Sequence, residues 1–120
     1  MKGKTLVFGA TPNSSRYSYK AVKMLKDYGH AVVPVGIRKG EIEGEEIIQG
    51  TPQAEDVETL TLYVNPEIQQ NHYDYFLSLN PKRVIFNPGT ENDEFARICA
   101  GNGIETLEAC TLVLLSTGQY

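Results

Sequence analysis

The sequence predicts an α/β fold: a doubly wound parallel sheet of about five strands, with helices on both faces, built by one domain over residues 1–120. Three observations predict it. Apolar runs such as Leu6-Val7-Phe8 and Val84-Ile85-Phe86 are continuous rather than alternating, which marks strands covered on both faces. These runs alternate along the chain with stretches of helical period, the arrangement that a parallel sheet requires. The length of 120 residues, with 41% hydrophobic and 22% charged side chains, suits one ordinary globular domain with a core of its own.

The first strand is Thr5 to Ala10. A polar loop, Thr11 to Tyr17, leads to a helix over about Ser18 to Tyr28, with Ala21, Val22, Leu25 and Tyr28 on one face and Lys20, Lys23 and Lys26 toward water. Ser18 is its expected N-cap and Gly29 its stop. Ala31 to Val35 is the second strand, and Pro34, unable to donate to a ladder, is expected near that strand's end. Glu41 to Ile47 reads as a hairpin or flap turning at Gly44, and Pro52 to Asp56 as one helical turn.

The third strand is Thr59 to Val64. A helix follows from about Pro66, a residue suited to a first turn, with Ile68, His72, Tyr75, Phe76 and Leu79 as its apolar stripe; Asn80-Pro81 ends it. The fourth strand is Arg83 to Asn87, turned by Pro88-Gly89. Thr90 and Asp93 have the spacing of a capping box for the next helix, where Phe95, Ile98, Cys99 and Asn102 share a face. Ile104 to Leu107 is the fifth strand, and an apolar segment, Thr111 to Leu115, closes the sequence. Right-handed crossovers then suggest the strand order 3-2-1-4-5.

In such sheets a ligand sits at the carboxyl ends of the strands, where the order reverses. The loops there are Gly9 to Arg16, Gly36 to Lys39, Asn65-Pro66 and Asn87 to Thr90, expected to line one crevice. The first has the makings of a phosphate site: a buried strand reaches a glycine, and a loop with serines and Arg16 feeds a helix whose first N–H groups are free. The dinucleotide fingerprint is absent, because Gly9 stands alone before the helix and no acid follows the second strand. NAD is therefore disfavoured. Arg38-Lys39 suits a ligand with an extra ribose phosphate, as coenzyme A and NADP have.

Other classes are excluded more simply. A net charge of −4, with acidic residues gathered at Glu41 to Glu46, argues against nucleic-acid binding. No apolar run approaches the roughly 20 residues that span a bilayer, so no membrane partner is expected. The N-terminus has no signal-peptide core, and Cys99 and Cys110 lack metal-ligand spacing, so the expectation is a reduced cytoplasmic protein without a metal. No catalytic residue is assigned, since no nucleophile elbow or Ser/His/Asp set can be placed. For several residues a plain reading stands beside the functional one. Gly9 serves equally as a turn; Arg16 as a solvated loop residue; Arg38 and Lys39 as partners of the acidic cluster. His72, Cys99 and Cys110 read as structural and His30 as surface.

Gly9-Ala10-Thr11-Pro12 with Arg16 and Ser18, and then Tyr28-Gly29-His30-Ala31-Val32-Val33-Pro34-Val35, resemble the CoA-binding domain family. These are small Rossmann-like proteins similar to the N-terminal domain of the succinyl-CoA synthetase alpha subunit. The resemblance extends over essentially the whole chain, with Glu43-Gly44-Glu45, Asn65-Pro66-Glu67, Asn92 to Ala96 and Cys110 where the family has similar features. It implies that Gly9, Ala10, Ser14, Ser15 and Arg16 hold phosphate. It implies that Val35, Gly36 and Lys39 flank the adenine and 3′-phosphate, and that Val64, Asn65 and Pro66 border the pantetheine arm. The chain departs from the family twice. Val64-Asn65 stands where an arginine often precedes the proline, and Asn87-Pro88-Gly89 where Gln-Leu-Gly is frequent.

The synthetase's phosphorylated histidine and nucleotide-grasp partner lie in other domains, so the resemblance implies a non-catalytic module that binds coenzyme A or an acyl-CoA. An NADP-binding reductase, or a subunit of one, and an interaction module that has lost its ligand are the alternatives. A small-molecule cofactor is the expected partner; a homo-oligomer and a partner enzyme subunit stay open.

Overall fold

The structure, a computed structural model, describes residues 3–120. The chain runs β1 (Lys4–Phe8), α1 (Tyr17–Asp27), β2 (Val32–Val35), β3 (Glu41–Ile42), β4 (Glu45–Glu46) and β5 (Val57–Leu62). It continues through α2 (Pro66–Gln70), α3 (Tyr73–Ser78), β6 (Arg83–Phe86), α4 (Asp93–Gly101), β7 (Glu105–Glu108) and α5 (Thr111–Ser116). Five parallel strands form one sheet in the order β2-β1-β5-β6-β7, and β3-β4 make a separate antiparallel hairpin. The α/β parallel architecture is the expected one.

The strand order is not. The expected third strand, now β5, lies beside β1 instead of outside β2, so the five stand in the order 2-1-3-4-5 rather than 3-2-1-4-5. Pro34 supplies the reason. The Val35 carbonyl faces β1, where it accepts from Gly9 N–H, while the Pro34 carbonyl faces outward and accepts from Ile48 N–H. The N–H that Pro34 lacks would therefore have been needed by any strand added outside β2. A proline facing outward makes β2 an edge strand, and only a one-residue bridge, Val35 with Ile48, covers it. β5 is buried on both faces (Thr59, Leu60, Thr61 and Leu62), as a central strand requires.

Two cores flank the sheet. Leu6, Phe8, Leu60, Leu62, Val84 and Phe86 pack against Phe76 and Leu79 of the α2–α3 region and Phe95 and Cys99 of α4. Phe76 stands edge-on to Phe8, with ring centroids 4.9 Å apart, in the arrangement that aromatic quadrupoles favour. On the other face Val7 and Ala10 meet Val22 and Leu25 of α1, Ile42 and Ile47 of the hairpin segment, and Leu115 of α5.

Several local expectations shift. α1 starts one residue early, with Arg16 rather than Ser18 at the N-cap, and Ser18 is buried inside the first turn. The single helix expected from Pro66 is two. Asn71 N–H and His72 N–H fall back on carbonyls three residues earlier, 3.2 and 2.9 Å away, and this tighter turn closes α2. Of the expected stripe, Phe76 and Leu79 are buried, whereas Ile68 is exposed. Pro52 to Asp56 forms no helical turn; Asp56 takes a left-handed backbone (φ 59°) and its carbonyl accepts from Lys4 N–H. The hairpin turns at Glu43-Gly44, both at positive φ (50° and 83°), as a tight two-residue turn needs. The final apolar segment is the helix α5.

Candidate functional site

β1 feeds α1 on one face of the sheet, and β5 feeds α2 on the other. Where neighbouring strands send their chains to opposite faces, a crevice opens at their carboxyl ends. Its first wall is the loop from Gly9 to Arg16. Gly9 has φ +104°, and a methyl group there would stand 3.0–3.1 Å from Val64 Cγ1 and the Tyr63 carbonyl. Glycine is thus what lets β1 and β5 approach. The N–H groups of Gly9 and Ala10 both donate to the Val35 carbonyl at 2.9 Å. These two residues therefore offer a close backbone, and the donors for an anion must come from further along.

They do. The Asn13 side chain accepts from Ser15 N–H (3.0 Å) and Ser15 Oγ (2.8 Å), shaping a tight loop before α1. Ser14, Ser15 and Arg16 are exposed. No side chain caps Arg16's helix and no acid lies in its first turn, so those N–H groups and the positive end of the helix dipole face solvent. Arg16 forms no ion pair among the described residues.

The second wall is the loop after β2. Val35 and Gly36 are buried. A methyl group on Gly36 would lie 2.0 Å from the Ala10 carbonyl oxygen, and one on Gly40 would lie 2.7 Å from Pro12 Cβ. The two loops are packed backbone to backbone. Ile37 projects 90% exposed beside the exposed Arg38 and Lys39. The acidic hairpin does not neutralise these cations. Its partner is Lys26 of α1, whose Nζ lies 3.4 Å from Glu45 Oε1 and donates to the Glu43 carbonyl at 2.7 Å. Arg38 and Lys39 have no ion pair among the described residues.

The third wall, after β5 and β6, has a different character. Val64 and Pro66 are half-buried, and Asn65 is exposed. Asn65 caps α2, its Oδ1 accepting from Ile68 N–H at 2.9 Å, and Pro66 opens that helix. Beneath them lies a buried polar cluster. Asn87 Nδ2 donates to Thr61 Oγ1 (2.6 Å) and the Leu62 carbonyl (2.9 Å), and Asn87 Oδ1 accepts from Thr111 N–H (2.9 Å). The Thr61 and Thr111 hydroxyls are 2.8 Å apart. Thr90 Oγ1 donates to the Asn87 carbonyl, so the cap of α4 falls instead to Asn92, which accepts from Phe95 N–H at 3.0 Å. The expected Thr90 box is thereby displaced by two residues. The Tyr63 hydroxyl is buried near Thr61 and Thr111 without a hydrogen bond of good geometry among the described residues, and burial pushes its ionisation far upward.

Sequence reasoning placed Asn87 to Thr90 in a loop lining the crevice, with Thr90 as a cap, and missed Thr61 and Gln69. Only Asn92, an asparagine before an apolar run, carried a local signal. His72 packs at 5.0 Å from the Phe8 ring, and burial raises the Cys99 thiol to about 11. Among the described residues no group of three or more His, Cys, Asp or Glu could hold a metal, and no helix is long and apolar enough to cross a membrane. Two open concavities, of about 450 and 380 Å³, lie at the opposite, amino ends of the strands. Arg83 in the second is already committed to Thr59 and to the Tyr120 carbonyl.

Fold and strand order together define a domain of the Rossmann-like α/β class. The CoA binding domain family matches residues 3–116, and the chain belongs to that family. A crystal structure of an uncharacterized protein is 53% identical, with a TM-score of 0.96 over 100% of this chain and 99% of that one. A protein from Thermus thermophilus is 26% identical, with a TM-score of 0.83 over 98% and 91%. A hypothetical protein from Pyrococcus horikoshii OT3 shares the fold, with a TM-score of 0.86 at 21% identity over 97% and 83%. No functionally curated protein matches the chain.

Proposed function

We propose that the chain binds coenzyme A or an acyl-CoA in this crevice and carries out no chemistry of its own. The observation that carries the reading is the lip itself. In a chain of net charge −4, Arg16, Arg38 and Lys39 stand exposed, with no ion pair among the described residues, around a helix start that no side chain caps. Exposed cations of this kind add almost nothing to folding. Facing phosphate, each can form a charge-assisted hydrogen bond contributing about 1.5–3 kcal/mol.

In this reading Ser14, Ser15, Arg16 and the first-turn N–H groups hold the pyrophosphate, while Gly9 and Ala10 let it come close to the backbone. Val35 and Gly36 form the floor beside the adenine, and Lys39 meets the 3′-phosphate. Val64, Asn65 and Pro66 border the pantetheine arm. The exposed Arg38-Lys39 pair also suits the 2′-phosphate of NADP, which is the second reading.

Thermal unfolding with millimolar CoA, acetyl-CoA, dephospho-CoA, NADP, NAD and ATP tests both. A ligand at ~100 times its Kd stabilises by about 2.7 kcal/mol, several degrees for a domain of this size. A shift with CoA species and none with NADP is the expected result. A shift with NADP alone would favour the reductase, and no shift with any would leave the interaction module in front.

A further inference from the structure

Gln69 is fully buried and every polar group on its side chain is used. Its Nε2 donates to the Val64 carbonyl at 2.9 Å and to the Thr90 carbonyl at 2.8 Å, while its Oε1 accepts from Asn92 Nδ2 at 2.9 Å. The two carbonyls belong to different loops, one leaving β5 and the other leaving β6. Strand pairing between β5 and β6 stops at Leu62 and Phe86. Beyond that point no backbone hydrogen bond joins the two loops among the described residues, and side chains bridge them: Asn87 at the strand ends, then Gln69 one layer further out. The backbone of Gln69 is fixed as well, because its N–H donates to the Asn65 carbonyl.

We propose that Gln69 is the positioning residue for the pantetheine side of the crevice. It sets the distance between the Val64-Asn65-Pro66 wall and the Pro88–Thr90 turn without touching the ligand. The assignment rests on the CoA-binding reading above. A side chain of the same length without donors would leave the buried Thr90 carbonyl and the half-buried Val64 carbonyl without Gln69, and the loops would separate to let water reach them. The phosphate side depends on other loops and would not change.

The test compares CoA with adenosine 3′,5′-bisphosphate, which lacks pantetheine, by titration calorimetry. Gln69→Met removes the donors at similar length, and Gln69→Glu keeps the acceptor for Asn92 but not the donors. Each should weaken CoA about tenfold while leaving the bisphosphate within about twofold. Equal loss for both ligands, or no loss for either, would overturn the assignment. Should neither variant fold, Asn92→Asp keeps the α4 cap and removes the donor that Asn92 gives to Gln69 and to the Tyr73 hydroxyl, leaving both Gln69 donors in place. It should show the same selectivity at a few-fold, and a uniform effect there also overturns it. Wild-type protein that binds neither ligand sinks the CoA-binding reading and the assignment with it. Wild-type protein that binds both, with uniform losses in the variants, sinks the Gln69 assignment alone.

Discussion

The two sides of the crevice are built on opposite principles. On the side of Gly9 to Arg16 and Gly36 to Lys39, charged and hydroxyl side chains are exposed, and the closest packing is of Gly36 on the Ala10 backbone. On the side of Tyr63 to Pro66 and Asn87 to Asn92, the determining side chains are buried amides and hydroxyls bonded to one another and to the backbone. The first side stores electrostatic potential that a ligand can use; the second stores shape. It follows that substitutions on the first side should alter affinity without altering stability, and on the second the reverse or both.

Asn87→Leu should have the largest effect. It leaves the Thr111 N–H and the Leu62 carbonyl without partners in a buried site. Stability should fall by about 3 kcal/mol, read as a lowered urea midpoint at unchanged slope. A midpoint that hardly moves would erase the contrast between the two sides. Arg16→Ala comes next and points the other way. CoA affinity should drop about tenfold with no change in the urea midpoint, and the loss should shrink at high salt. Unchanged affinity would remove Arg16 from the site.

The smallest effect concerns the buried thiol. Desolvation lifts Cys99 to about 11 from an ordinary 9.0. Above the unfolded value the unfolded chain loses a proton that the folded chain keeps, so stability is intact below pH 9 and declines toward about 11. Tyr63 adds to the decline with the same sign. Cys99→Ala should flatten the stability profile over that window, and a profile that is already flat would argue against a buried thiol.

Much of the fold was legible because its signals are local. Leu6-Val7-Phe8 and Val84-Ile85-Phe86 are strands whatever surrounds them, and Pro66 starts a helix by its own geometry. The strand order was written in the chain as well, in Pro34, but only a backbone that shows which way its missing N–H faces turns that residue into a topology. The open side of the crevice could be read for the same local reason: a glycine, serines and an arginine between a strand and a helix. The shaped side could not. Gln69 looks like one more surface glutamine on a short helix, and its burial depends on Val64, Thr90 and Asn92 arriving from elsewhere. The expected helical stripe holds from His72 to Leu79 but not at Ile68, where the neighbouring Gln69 takes the interior instead.

The contact between Gly36 and the Ala10 carbonyl bears on kinetics. The two loops are joined closely, with two N–H groups sharing the Val35 oxygen, so that moving one apart from the other would break both bonds. A ligand arriving at that lip meets a surface already assembled. On the proposed binding, the entropy lost there is that of the exposed Arg16, Arg38 and Lys39 side chains rather than of the backbone, and the encounter is expected to follow diffusion and charge steering.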